Sequence, residues 1–123
     1  MRVTVLGSSA SYTGPERACS GHLVEAAGAR VLLDCGNGVT ANLAQIEEPD
    51  TLDAIFISHA HPDHFADLYV IQGALRYAPT GPRPPVPLYL PEGLWDRIRA
   101  LLSDHGAQDI AEAFVPVSLV AHE

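Results

Sequence analysis

The stretch that decides the reading of this chain is "FISHAHPDHFADL", residues 56–68, in which three histidines and two aspartates fall within thirteen positions. Its dense part is His59-Ala60-His61-Pro62-Asp63-His64. Ahead of it, "LDAIFISH" (52–59) contains an apolar run with the pattern of a buried strand. Behind it, "FADLYVIQGALRYA" (65–78) places apolar residues at 65, 68, 71 and 75, a helical period, and stops before Pro79. His59 and His61 are two apart, so an extended backbone puts both imidazoles on one face. Two neutral imidazoles on one side are half of a tetrahedral zinc site. Pro62 fixes its own φ and turns His61 away from the helical region, which stiffens that geometry. Asp63 and His64 open the next helix and point elsewhere, which suits a second metal position. Mixed histidine and carboxylate ligands favour zinc, with manganese or iron as alternatives. A bland reading competes: Asp63 could be a helix N-cap, and a single histidine is usually a surface or core residue. Three of the chain's six histidines beside an aspartate at a strand end outweigh it.

Outward from the cluster, strands and helices alternate. "RVTVLG" (2–7) reads as a strand stopped by Gly7, and 7–17 as a loop rich in Gly, Ser and Pro. "GHLVEA" (21–26) and "ARVLLDCG" (29–36) flank Ala27-Gly28 and predict a hairpin. "NGVTANLAQIEE" (37–48) has apolar residues at 39, 43 and 46 and predicts a helix ending before Pro49. "GPRPPVP" (81–87) is a stiff connector, and "LYL" (88–90) a short strand. "EGLWDRIRALLSDHG" (92–106) predicts one amphipathic helix with Gly106 at its C-cap. "AFVPVSLVAH" (113–122) is extended, and Pro116 marks it as an edge strand. This rhythm indicates one α/β domain over residues 1–123.

Composition narrows the function. Apolar residues at 47% and charged residues at 18% describe a globular chain. A net charge of −8 excludes a binder that grips nucleic-acid phosphates with clustered Lys and Arg, though not a nuclease whose metals do so. Two cysteines, Cys19 and Cys35, without an apolar leader make no disulfide framework, and no stretch has membrane-span length. The expectation is a cytoplasmic protein with no membrane association. "GSSAS" (7–11) lacks the spacing and the lysine of a phosphate-binding loop.

The motif H-x-H-x-D-H after a strand, here "SHAHPDH", resembles the signature of the metallo-β-lactamase-fold hydrolases. Upstream, "VLGSSASYTGPERACSGHLVEAAGARVLLDCGNG" resembles that superfamily's opening strands, above all those of its ribonuclease Z and cyclic-nucleotide phosphodiesterase branch. Asp34-Cys35-Gly36 matches the branch's Asp-x-Gly. The resemblance implies an αββα sandwich of which this chain is the N-terminal half. It implies that His59 and His61 hold one zinc, Asp63 and His64 the other, and that Asp34 orients ligands by hydrogen bonds. Asp63 would also be catalytic, transferring a proton while a metal-bound hydroxide attacks a phosphodiester.

Relatives of this kind add a third histidine, a bridging aspartate and a last histidine from later motifs. The bridging aspartate and last histidine are not visible here. His122 follows an extended run as the third family histidine does; a frayed terminal residue is the competing reading. His105 reads as a cation near a helix C-terminus, His22 as a structural strand residue, and Cys35 as a small buried hydrophobe. Three functions compete. The first is a phosphodiesterase acting on RNA or on a small nucleotide. The second is a hydrolase of a lactone, thioester or sulfate ester. The third is a non-catalytic half-domain that pairs with itself, as a homo-oligomer, or with the missing C-terminal half. The strands "VTVL", "RVLL" and "AIFI" are apolar on both faces, so one face would lack its cover.

Overall fold

The computed structural model describes residues 1–48, 51–79 and 82–120. The hairpin forms as its sequence requires. Strand β3 (Gly21–Ala26) pairs antiparallel with β4 (Ala29–Leu33). Ala27 and Gly28 between them both have positive φ, 51° and 82°, the backbone of a two-residue turn whose twist matches the strands. Strand β1 (Arg2–Ser9) lies antiparallel on β3, and the short β2 (Ala18–Cys19) runs parallel along the outer side of β1.

From β4 onward the chain repeats one move. Helix α1 (Val39–Ala44) carries it to β5 (Ala54–Phe56), parallel to β4. Helices α2 (Pro62–Phe65) and α3 (Leu68–Tyr77) carry it to β6 (Val86–Pro91), and α4 (Leu94–Ala100) and α5 (Asp104–Ala113) to β7 (Phe114–Leu119), each strand parallel to the last. Among the described residues the strands form one seven-stranded sheet, β2-β1-β3-β4-β5-β6-β7. Parallel crossovers are right-handed almost without exception. Three in a row, all stepping the same way across the sheet, place their helices on the same face. One core results: Leu23, Leu32, Ile55 and Leu88 from the strands meet Val39 and Leu43 of α1, Leu68 and Ile71 of α3, Ile98 of α4 and Ile110 of α5.

Three expectations from the sequence need correction. The helix over 92–106 is two helices. The first ends at Ala100, and Ser103, in extended conformation, caps the second, its side chain accepting from the Gly106 N–H at 3.1 Å. Serine favours that place because its hydroxyl answers an orphan N–H. Gly106 therefore lies in the first turn of α5, and His105 sits near a helix N-terminus, not a C-terminus. The helix over 65–78 begins at Leu68 with Asp67 as its N-cap, whose carboxylate accepts from Gly38 N–H and Thr40 N–H rather than from the helix's own first turn. Ile46 lies beyond the end of α1 and is half exposed. Pro116 does sit on an edge strand, as expected.

Alternate residues of the same strands face the other way, where among the described residues no helix lies. Val3, Val5, Leu33, Val115, Val117 and Leu119 are all exposed there. The registers place them in one field with Phe56 and Tyr89, whose rings stack 4.3 Å apart. The chain is an αβ half of a sandwich, with helices over one face of the sheet and the other face open. Among the described residues no helix is long and apolar enough to cross a membrane.

Candidate metal centre

The histidine cluster sits where β5 ends, and hydrogen bonds from neighbouring loops hold it there. Ile57 N–H donates to the Tyr89 carbonyl, and from Ser58 on the chain leaves the sheet. His61 is extended, φ −105° and ψ 142°, as the residue before a proline should be, and Pro62 opens α2. The N-cap is His61, so the reading of Asp63 as the cap falls; Asp63 lies in the first turn.

Asp34 lies beneath the cluster. Strand β4 ends at Leu33, and Asp34 takes a left-handed backbone, φ 64°. Aspartate tolerates that conformation better than most residues. The turn aims its carboxylate at the end of β5. It receives Ser58 N–H at 2.8 Å, the Ser58 hydroxyl at 2.9 Å (Oδ1) and 2.8 Å (Oδ2), the Ser20 hydroxyl at 3.0 Å and His64 Nδ1 at 2.8 Å. Burial pushes the Asp34 carboxyl up, but the Ser58 N–H, the His64 ring and the two hydroxyls together outweigh it and hold it below the ordinary carboxylate value. Gly36 lets this loop press against the cluster: a Cβ there would meet the Asp63 carbonyl oxygen at 2.1 Å. Cys35 N–H donates to the His64 carbonyl and Asp67 N–H to the Cys35 carbonyl, so the two loops are laced together.

Asp63 is held from the other side. Ser11, another non-glycine at positive φ (65°), donates its N–H to Asp63 Oδ2 at 3.1 Å. That bond, with His64 and His61 nearby, keeps the Asp63 carboxyl below its ordinary value against a smaller opposing effect of desolvation. His64 Nε2 lies 3.5 Å from Asp63 Oδ2. The rings of His59 and His61 are 6.4 Å apart between centroids and within 14° of parallel, while His59 and His64 are 4.6 Å apart. The four side chains expected as ligands are thus brought together. Among the described residues, however, no three His, Cys, Asp or Glu side chains converge on a single ion position.

The remaining residues separate clearly. His22 lies in the ladder opposite Val5 and Leu33, on the open face. Cys19 and Cys35 are buried free thiols. Burial raises both, that of Cys35 far above its ordinary value, so neither is a ready thiolate. His122 lies outside the described residues. Sequence reasoning missed Ser11, Ser20 and Ser58. Of these only Ser58 carries a local signal: it lies just past the strand that ends at Phe56 and immediately precedes the first histidine.

Residues 14–121 match the family described as the metallo-beta-lactamase superfamily. The chain belongs to that superfamily. Among relatives, it is 37% identical over 109 residues to an uncharacterized protein, ML1173, of Mycobacterium leprae, covering 88% of this chain and 38% of the relative. The crystal structure of the metallo-beta-lactamase fold protein YhfI from Bacillus subtilis superimposes with a TM-score of 0.76 at 24% identity, covering 96% of this chain and 44% of that one. Human tRNase Z, short form, superimposes with a TM-score of 0.69 at 33% identity, covering 78% and 36%. The chain therefore spans about two-fifths of the length of such superfamily members.

Proposed function

We propose that this chain carries the HxHxDH half of a two-zinc hydrolase of phosphodiester bonds, with RNA 3′ ends or cyclic nucleotides as substrate classes. The observation that carries the reading is the 2.8 Å contact between Asp34 and His64 Nδ1, which leaves His64 Nε2 facing the Asp63 carboxylate. A histidine held from behind by a carboxylate is the usual arrangement of a metal ligand. His59 and His61 would hold one ion, and Asp63 and His64 the other; manganese or iron would fit the same donors. A bound zinc supplies Lewis acidity and lowers the pKa of a coordinated water toward about 7. The chain's own residues fix ligand orientation, and Asp63 is the group poised to carry a proton. The likeness to a tRNase Z supports the phosphodiester, and the net charge of −8 favours a small substrate over a long RNA.

The incomplete ligand set favours one further element of this reading: full coordination and activity require a partner, either the remainder of a longer chain or a second copy. The open sheet face is where that partner would pack. A cytoplasmic location accompanies the reading, in keeping with two free cysteines.

The test is hydrolysis of bis-p-nitrophenyl phosphate by the chain joined to the second half of its domain. Activity should vanish on exhaustive chelation and return with zinc. Asp63→Ala should lower the rate by about 10²-fold or more, because a proton-transfer group alone contributes that much. Undiminished turnover after chelation would rule the reading out, and turnover of a lactone, thioester or sulfate ester alone would assign the site to that chemistry instead.

A further inference from the structure

The proton inventory around Asp34 goes beyond the placing of His64. An ionised carboxylate accepts only, and offers about four lone-pair sites. Four donor groups face Asp34: Ser58 N–H, Ser58 Oγ–H, Ser20 Oγ–H and the His64 ring. His64 Nδ1 must therefore bear a proton. The Ser58 hydroxyl has one proton, and its two contacts to Asp34, at 2.9 and 2.8 Å, commit that proton to the carboxylate. Ser58 Oγ is left only with lone pairs. Yet His59 Nδ1 lies 2.8 Å from it, at good hydrogen-bond distance. That contact is bonding only if His59 Nδ1 donates.

We infer that Ser58 is a positioning residue that relays Asp34 to His59, fixing His59 as the Nδ1–H tautomer and leaving its Nε2 bare for a metal. One carboxylate then sets the tautomer of two histidines assigned to different ions, His64 directly and His59 through the hydroxyl. The inference rests on the metal reading above for the purpose of the tautomer, not for its existence. Alone in water, a histidine ring favours the opposite tautomer, with the proton on Nε2, where it would block that nitrogen from a metal.

Two measurements on the full chain test it. Long-range ¹⁵N–¹H NMR of the ring nitrogens reads the tautomers without metal, and magic-angle spinning extends it to associated protein. His59 should be Nδ1–H in the wild type, mainly Nε2–H in Ser58→Ala, and Nδ1–H again in Ser58→Thr, which restores the hydroxyl. His64 should stay Nδ1–H in all three. Zinc affinity should fall about tenfold in Ser58→Ala, the lower end for loss of a ligand's hydrogen-bond partner, and recover in Ser58→Thr. An Nε2–H proton on His59 in the wild type, or a tautomer unchanged by Ser58→Ala, overturns the inference. Tautomers as assigned, with zinc uptake untouched by combined His59→Ala and His64→Ala, would overturn the metal reading and leave the hydrogen-bond assignment standing.

Discussion

The two faces of the sheet are built from the same strands and have opposite fates. On the helix side Leu23, Leu32, Ile55 and Leu88 are wholly buried. On the opposite face of the same sheet, Val5 is 62% exposed, Leu33 41% and Val117 39%. Residue type does not separate the faces, since both are apolar. What separates them is topology: three crossovers of one hand, stepping in one direction, deliver every helix to one side. The difference teaches that topology, not residue type, decides which apolar face is buried, and it leaves an open apolar face that we propose a partner covers. Contiguous apolar patches beyond roughly a few hundred Å² are uncommon on soluble monomers and mark sites of association. The metal-competent cluster lies at the rim of this face, where Phe56 gives way to Ser58 and His59.

The largest expected effect lies on the covered face. Ile55→Ala should destabilise the fold by about 2–5 kcal/mol, a large part of the stability of a domain this size, as measured by the denaturant midpoint. A loss under about 1 kcal/mol would mean the helix layer does not close over the sheet as described. Next comes the open face. Val5→Lys with Val117→Lys should convert an associating chain into a smaller species by sedimentation or light scattering. Stability should change by only about 0.5 kcal/mol per site, as for other surface positions. An equal loss of stability on both faces would erase the distinction drawn between them. A wild-type chain that sediments as a monomer would show that the open face tolerates water.

The smallest effect is one of pH, and it belongs to the rim. Asp34 is held below its ordinary value of 3.8 in the folded chain, so the stabilisation from its hydrogen bonds is fully present above that value. It is lost as pH falls through the lower, folded value. Denaturant midpoints taken from neutral pH downward should therefore drop in the acid range, and Asp34→Asn should show a shallower drop. Identical profiles would mean that other carboxylates carry the whole acid response.

Much of this was legible in the residues themselves. The alternation of strands and helices, the hairpin at Ala27-Gly28, the extended backbone before Pro62 and the edge strand at Pro116 follow from short-range sterics, which neighbouring residues contain. The four metal-competent side chains were legible for the same reason: His59 to His64 are adjacent in sequence, and Pro62 holds His61 extended between the strand end and the next helix. The break at Ser103 could have been read as an N-cap. Gly106 reads instead as the C-cap of one continuous amphipathic helix, and the capping hydrogen bond of Ser103 wins.

The sequence by itself determined an α/β domain with a histidine–aspartate cluster at a strand end, because local periodicity and spacing carry that information; the metallo-beta-lactamase kind came from the resemblance of its motif. Only the tertiary structure decided which apolar face is covered and which is bare, and that Ser20, Ser58 and Ser11 join Asp34, whose part the resemblance implies, in holding the cluster in place. Asp34 reaches His64 across thirty residues, and Ser11 reaches Asp63 across fifty-two. Contacts of that range depend on how the strands are ordered in the sheet, and no local rule of residue spacing encodes that order.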